Sequence, residues 1–248
     1  MERKNFIRNA ALLAIGLRST GMVNAGTSLQ NNITASATTM DLMVNAGVAG
    51  NTTKNLLARI DKDCLAHKPT LTIMMSGTND MTNGKHVPPD KFTDNMTILS
   101  EKIMKSGSKL VLMTILPFYE PYYLSRHPKE FFEPEGPEGR RKAVNEAIKK
   151  VAQKTGAFLF DPGILFEKVG KIGLDAGSLL RNEANSTKTD GVHPTRDGYR
   201  FLALGVSQFI QYNHLPFSRT VCFGDSITKG DGSIDGESYP AYLKKLLQ

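Results

Sequence analysis

Five short apolar runs, each cut off by a turn, constrain this chain more than any other feature. They are the runs in DLMVNAG, LTIMMSG, KLVLMTILP, AFLFDPG and TVCFGDS. Between them lie stretches with apolar residues at helical spacing. NTTKNLLARIDKDCLAH opens on Thr52 or Thr53 as a cap, and DKFTDNMTILSEKIMKSG stops at Gly107. EGRRKAVNEAIKKVAQKTG closes at Gly156, TRDGYRFLALGVSQFIQYN follows, and SYPAYLKKLLQ ends the chain. A strand that is apolar at every position is buried on both faces. Such strands alternating with helices predict a parallel sheet covered on both sides. In sheets of that kind, chemistry gathers at the carboxyl ends of the strands.

A length of 248 residues suits one α/β domain. No apolar run approaches the ~20 residues of a membrane helix, so stable membrane insertion is not expected. The formal charge of +7 comes without a basic stripe interleaved with aromatics. It reads as a solvated basic surface rather than a nucleic-acid face. Residues 1–25 place Arg3, Lys4 and Arg8 before an apolar run from Ala10 to Leu17, then small residues at Val23–Ala25. That order predicts an export signal and a periplasmic or secreted protein. ERKNFIR also resembles the twin-arginine export motif, with Lys4 in place of the second arginine. The alternative is an amphipathic N-terminal helix on a cytoplasmic protein. Removal of the segment takes the formal charge from +7 to +4. Residues 26–40, rich in Ser, Thr and Asn, read as a polar linker, leaving 41–248 as the domain. Cys222 lies in an apolar run and reads as a buried small hydrophobe. A disulfide to Cys64 is possible but not favoured, and neither cysteine has zinc-site spacing.

Four short blocks carry polar residues at strand ends. GDS puts Ser226 directly after a strand, but a serine on a turn is more often a turn or cap residue than a nucleophile. DGVHP sets Asp190 three residues before His193, a spacing at which a carboxylate can hold an imidazole; alone, the pair is also a common polar turn. His67, His86, His127 and His214 have no partner at such spacing and read as surface or loop residues. SGTND offers the Asn79 amide, a donor for a developing oxyanion or a plain turn residue. NAGVAGNTT offers Gly50 just before a helix, where a bare backbone N–H can approach a ligand.

Taken together, these blocks resemble those of the GDSL/SGNH hydrolase family, over residues 41 to 248. The resemblance implies a flavodoxin-like three-layer α/β/α sandwich with about five parallel strands. It also implies a carboxylic ester hydrolase that needs no metal or organic cofactor. Ser226 matches the family's nucleophile, with His193 as its base and Asp190 as the residue that orients the base. The Ser226 N–H, the Gly50 N–H and the Asn79 side chain match the family's oxyanion hole. One departure stands out: the serine block comes last here, whereas in the family it comes first. Circular permutation explains that order. The alternative is a tandem protein cut short, with residues 219–248 opening a second domain. The permuted reading predicts that the strand at Val221–Phe223 lies inside the sheet, between the strands at Leu42–Asn45 and Leu71–Met75.

The loop PFYEPYYLSRHPKEFFEPEGPEG follows the strand expected to end at Ile115 or Leu116, so it should border the site. Tyr119, Tyr122, Tyr123, Phe131 and Phe132 are its candidates for stacking on a sugar or lining an acyl groove; alternatively they pin the loop to the body. With export, the resemblance favours an acetyl esterase on carbohydrate, its partner a small or polysaccharide ester. The rivals are a lysophospholipase or thioesterase for longer acyl chains, and a non-catalytic carbohydrate-binding protein on the same fold.

Overall fold

The computed structural model describes residues 41–230 and 237–248. The expected export segment and linker, 1–40, lie outside the described residues. Strand β1 spans Leu42–Gly47 and helix α1 Thr53–Asp63; β2 spans Leu71–Met75 and α2 Pro89–Lys105. Strand β3 is Lys109–Met113, followed by a short α3 at Glu120–Leu124 and the long α4 at Gly136–Thr155. Then come β4 (Phe158–Phe160), α5 (Pro162–Val169), α6 (Glu183–Ser186) and α7 (Arg196–Tyr212). The chain closes with β5 (Arg219–Gly224), the single turn α8 (Ser226–Lys229) and α9 (Tyr239–Leu247).

The strands form one sheet in the order β1-β5-β2-β3-β4, every pair parallel. The last strand is therefore interior. Its register runs from Leu42↔Arg219 to Gly47↔Gly224 on one side and from Leu71↔Thr220 to Met75↔Gly224 on the other. Those are the neighbours expected for it.

Pleating divides the apolar residues between two cores. Met74, Leu110, Leu112, Val221 and Phe223 pack with Leu56 and Ile60 of α1, Met96 and Leu99 of α2 and Ile148 of α4. Leu71, Ile73, Met75, Val111, Met113 and Cys222 face the other way, toward Phe166 of α5, Leu202 and Val206 of α7 and Tyr239 and Leu243 of α9. This is why β2, β3 and β5 lack polar alternation. It also settles the cysteines. Cys64 and Cys222 are free and buried in opposite cores, so the sheet separates them. Burial pushes both thiols up, to about 11 and about 12.

One local expectation needs correction, and one helix was not foreseen. Strand β3 ends at Met113, short of Ile115. The Asn145 side chain of α4 takes over there: its Oδ1 accepts the Ile115 N–H at 2.8 Å and its Nδ2 donates to the Ile115 carbonyl at 3.3 Å. Helix α5 was not expected. Its signal is local: Asp161 caps the Ile164 N–H at 3.1 Å and Pro162 occupies the first helical position.

Candidate active site

Strand β5 runs between two neighbours to Gly224 and stops. A Cβ on Gly224 would lie 2.4 Å from both the Met75 carbonyl oxygen and Thr228 Oγ1. Only glycine lets the chain turn here against β2. The next residue, Asp225, caps α8 by accepting the Ile227 N–H at 2.9 Å. Ser226 is thereby fixed at the first position of that turn, and its N–H has no acceptor among the described residues. Asp225 is fully buried and its Oδ2 has no partner among the described residues. Burial raises its carboxyl to about 6, against the Ile227 N–H and the nearby charge of His193.

The segment 190–195 carries the Asp190–His193 pair. It is pinned to residues 179–181 by Arg181 N–H to His193 O at 2.9 Å, Gly191 N–H to Arg181 O and Thr195 N–H to Leu179 O, both at 2.8 Å. Gly191 has φ +68°, which lets the turn curl back on itself. Asp190 Oδ1 accepts the backbone N–H groups of Val192 (3.0 Å) and His193 (2.9 Å). The His193 ring then meets the carboxylate, with Nδ1 3.0 Å from each oxygen. An ionised carboxylate only accepts, so in the neutral ring Nδ1 carries the proton and Nε2 is left as acceptor. Nε2 lies 2.9 Å from Ser226 Oγ. Burial alone would raise the Asp190 carboxyl. The hydrogen bond and charge of His193 and the two backbone donors outweigh it and hold Asp190 at about 2.

Gly50 and Asn79 reach the same end of the sheet from β1 and β2. Gly50 has φ +76°, and a Cβ there would lie 2.5 Å from Lys85 Nζ. Its N–H has no acceptor among the described residues. The loop carrying it is tied to the serine strand by Val48 N–H to Gly224 O at 3.1 Å. Asn79 is tied to that loop, its Nδ2 donating to Asn51 O at 3.0 Å. One N–H of the amide is thus spent and the other remains for a ligand. Asp80, buried beside it, accepts from Thr53 N at 2.9 Å and Thr53 Oγ1 at 2.5 Å, which fixes the start of α1 against the Asn79 turn.

The aromatic loop divides. Tyr123 and Phe132 are 1% and 0% exposed and belong to the core, so neither has a ring face left for a ligand. Tyr123 stacks on Phe118 at 4.3 Å and meets Phe132 at 5.6 Å, which is the pinning role. Phe131 is half-buried, edge-on to His86, with the Arg140 guanidinium 4.6 Å from its centroid. Tyr119 and Tyr122 border the site directly: both Cβ atoms crowd Gly191, and the Tyr119 N–H donates to Gly191 O at 2.8 Å.

Three arginines went unanticipated. Arg181 Nη1 lies 3.3 Å from Asp190 Oδ2, and Arg126 donates to the carbonyls of Thr189 and Asp190 at 2.5 Å each. No local spacing links either of them to the Asp–His pair. Arg59 bridges the ends of β1 and β5, and its signal was readable. It follows Leu56 by three residues, which puts a charge beside the buried stripe of α1. Among the described residues no group of three His, Cys, Asp or Glu is placed to hold a metal. Nor is any helix among them long and apolar enough to cross a membrane.

A lipoprotein of Bacillus subtilis strain 168, YqeF, is 34% identical over 141 residues. The match covers 52% of this chain and 57% of that protein, so the chain spans little more than half of this relative. An acetylxylan esterase of Geobacillus stearothermophilus is 28% identical over 174 residues, 65% of this chain and 68% of that protein. The crystal structure of an acetyl xylan esterase, AlAXEase, superposes with a TM-score of 0.53 at 25% identity, over 66% of this chain and 79% of that one. The family model for GDSL-like Lipase/Acylhydrolase matches residues 14–201, a stretch that holds Gly50, Asn79, Asp190 and His193 and stops short of Ser226. Matched over most of its length, the chain belongs to the GDSL-like lipase/acylhydrolase family.

Proposed function

We propose that this protein is a serine esterase that removes short acyl groups, chiefly acetyl, from carbohydrate. The observation that carries the reading is the 2.9 Å approach of His193 Nε2 to Ser226 Oγ while Nδ1 rests on Asp190. Ser226 Oγ attacks the acyl carbon and His193 Nε2 takes its proton. The carbonyl electron pair moves onto oxygen, which the Ser226 and Gly50 N–H groups and the free Asn79 N–H then stabilise. Collapse breaks the ester C–O bond, and the alcohol leaves with the proton from His193. Water repeats the sequence, releasing the acid and restoring Ser226. Asp190 stays ionised throughout and holds the imidazolium as it forms.

The acetyl preference rests on the two acetylxylan esterases among the relatives and on Tyr119 and Tyr122 beside the Asp190–His193 turn. The test is a panel of 4-nitrophenyl esters from acetate to octanoate, with acetylated xylooligosaccharides, for wild type and Ser226→Ala. Fastest turnover of acetyl esters, lost in Ser226→Ala, is expected. Faster turnover of octanoate than acetate would move the substrate to the long-chain class. Sugar binding without ester turnover would move the protein out of enzymes altogether.

Two further readings belong with this one. The chain is a circular permutant of its family. Support comes from β5, last in sequence yet paired with β1 and β2, and from the short link at 213–218 that joins α7 to it. Residues 1–25 act as an export signal, in keeping with their basic-then-apolar order and with a lipoprotein among the relatives. Fractionation of expressing cells, with and without those residues, tests the second point.

A further inference from the structure

We infer that Arg59 is the positioning residue of the oxyanion hole: one guanidinium on α1 sets the Gly50 loop and Asn79 against the serine strand. The inference rests on the catalytic reading above. Its ground is a convergence of contacts that the fold alone does not demand. Arg59 Nη2 donates to Gly224 O at 2.8 Å, two residues before Ser226. Nη1 donates to Ala46 O at 3.0 Å, at the end of β1, and to Asp63 Oδ2 at 3.1 Å. Nε donates to Asn51 Oδ1 at 2.6 Å. The guanidinium carbon sits over the Phe223 ring, 4.5 Å from its centroid. Its side chain is 15% exposed, so these bonds have little competition from water.

Asn51 is where this network meets the chemistry. Its side chain is held by Arg59, its backbone follows Gly50 directly, and its carbonyl accepts from Asn79 Nδ2. Two of the three proposed oxyanion donors therefore hang on one residue whose place is set by Arg59. The third, the Ser226 N–H, follows the Gly224 carbonyl that the same guanidinium binds. A planar fork of five donors serves strand ends and loop at once; a lysine, with a single point of charge, cannot reach all four acceptors. Arg59 does not touch the reacting atoms, so its removal should act on alignment. Misaligned donors weaken the transition state more than the ground state, which lowers kcat and spares KM.

The test is steady-state kinetics on 4-nitrophenyl acetate for wild type, Arg59→Met, Arg59→Lys, Asn51→Ala and the Arg59→Met/Asn51→Ala double variant, well below each melting temperature. Losing one oxyanion donor outright costs about 10²–10³ in rate, so misalignment should cost roughly 10–10² in kcat. KM should change less than threefold. Arg59→Lys should recover only part of the loss. The double variant should be no slower than Arg59→Met, because both changes cut one path. Multiplying losses, or wild-type kcat in Arg59→Met, would overturn the inference. If Arg59→Met does not fold, Arg59→Lys and Asn51→Ala read the same quantity. Ser226→Ala run alongside separates the two claims. If it is inactive while Arg59→Met is unimpaired, only the positioning role fails; if it stays active, the catalytic reading fails first.

Discussion

Ending the chain at Ser218 tests the place of β5 in the fold. The cut removes β5, α8 and α9 together. With them go the buried side chains of Val221, Cys222, Phe223, Ile227, Tyr239, Leu243 and Leu247. At ~1.5–3 kcal/mol for each large apolar side chain, the lost burial is about 10–20 kcal/mol. A whole domain of this kind has only ~5–15 kcal/mol of net stability. The loss is worse than that comparison suggests. β1 and β2 pair with β5 and not with each other, so its removal strips both of ladder partners in the middle of the sheet. The assay is expression of residues 1–218 beside the full chain, with soluble yield, a circular-dichroism melt and a urea titration. The fragment should be insoluble or melt without cooperativity. A soluble 1–218 fragment with a sharp transition would refute the reasoning and favour a chain whose last thirty residues open a second domain.

His193→Ala should reduce kcat by about 10⁶ and Asp190→Asn by about 10⁴, because in the proposed mechanism the carboxylate orients the base without taking the proton. Equal losses in the two would contradict those roles. Gly224→Ala should destabilise the protein by about 3 kcal/mol, since its Cβ would press on the Met75 carbonyl inside a ladder that cannot yield; an unchanged melting temperature would refute the close approach. Asp225 gives a pH signature. Its folded carboxyl, raised by burial to about 6 from an ordinary 3.8, ionises later than in the unfolded chain. The stability it contributes is present below the unfolded value and lost as pH rises to about 6. Asp225→Asn, which keeps an oxygen for the Ile227 N–H, removes that slope. The variant should gain up to about 3 kcal/mol on wild type at pH 8 and little at pH 4. A gain that does not vary with pH would sink the idea.

The sheet was legible because β2, β3 and β5 are buried on both faces over most of their length and so are written as largely apolar runs. The candidate site blocks stood out in the sequence because each is short and sits at a strand end, and the fold brings three of their side chains together: Asp190 and His193 are three residues apart, and Ser226, which follows its strand directly, meets His193 at 2.9 Å. What eluded the sequence depended on distant partners. β3 stops early because Asn145, thirty residues on, captures both backbone groups of Ile115. Arg181 and Arg126 reach Asp190 across a folded surface that local spacing does not encode. The loop aromatics were ambiguous for a related reason. Tyr123 and Phe132 carry the same chemistry as Tyr119 and Tyr122, and only packing against Phe118 and the core decides which pair is inside.

The central claim is that Ser226, delivered by the last strand, is the nucleophile. A fluorophosphonate that mimics the tetrahedral intermediate tests it most directly, with intact-mass analysis and peptide mapping of the labelled protein. The account predicts one adduct per chain, located on Ser226, formed as fast as acetate-ester turnover is lost and absent from Ser226→Ala and His193→Ala. An adduct on another residue, or full esterase activity in protein labelled nowhere, would contradict it.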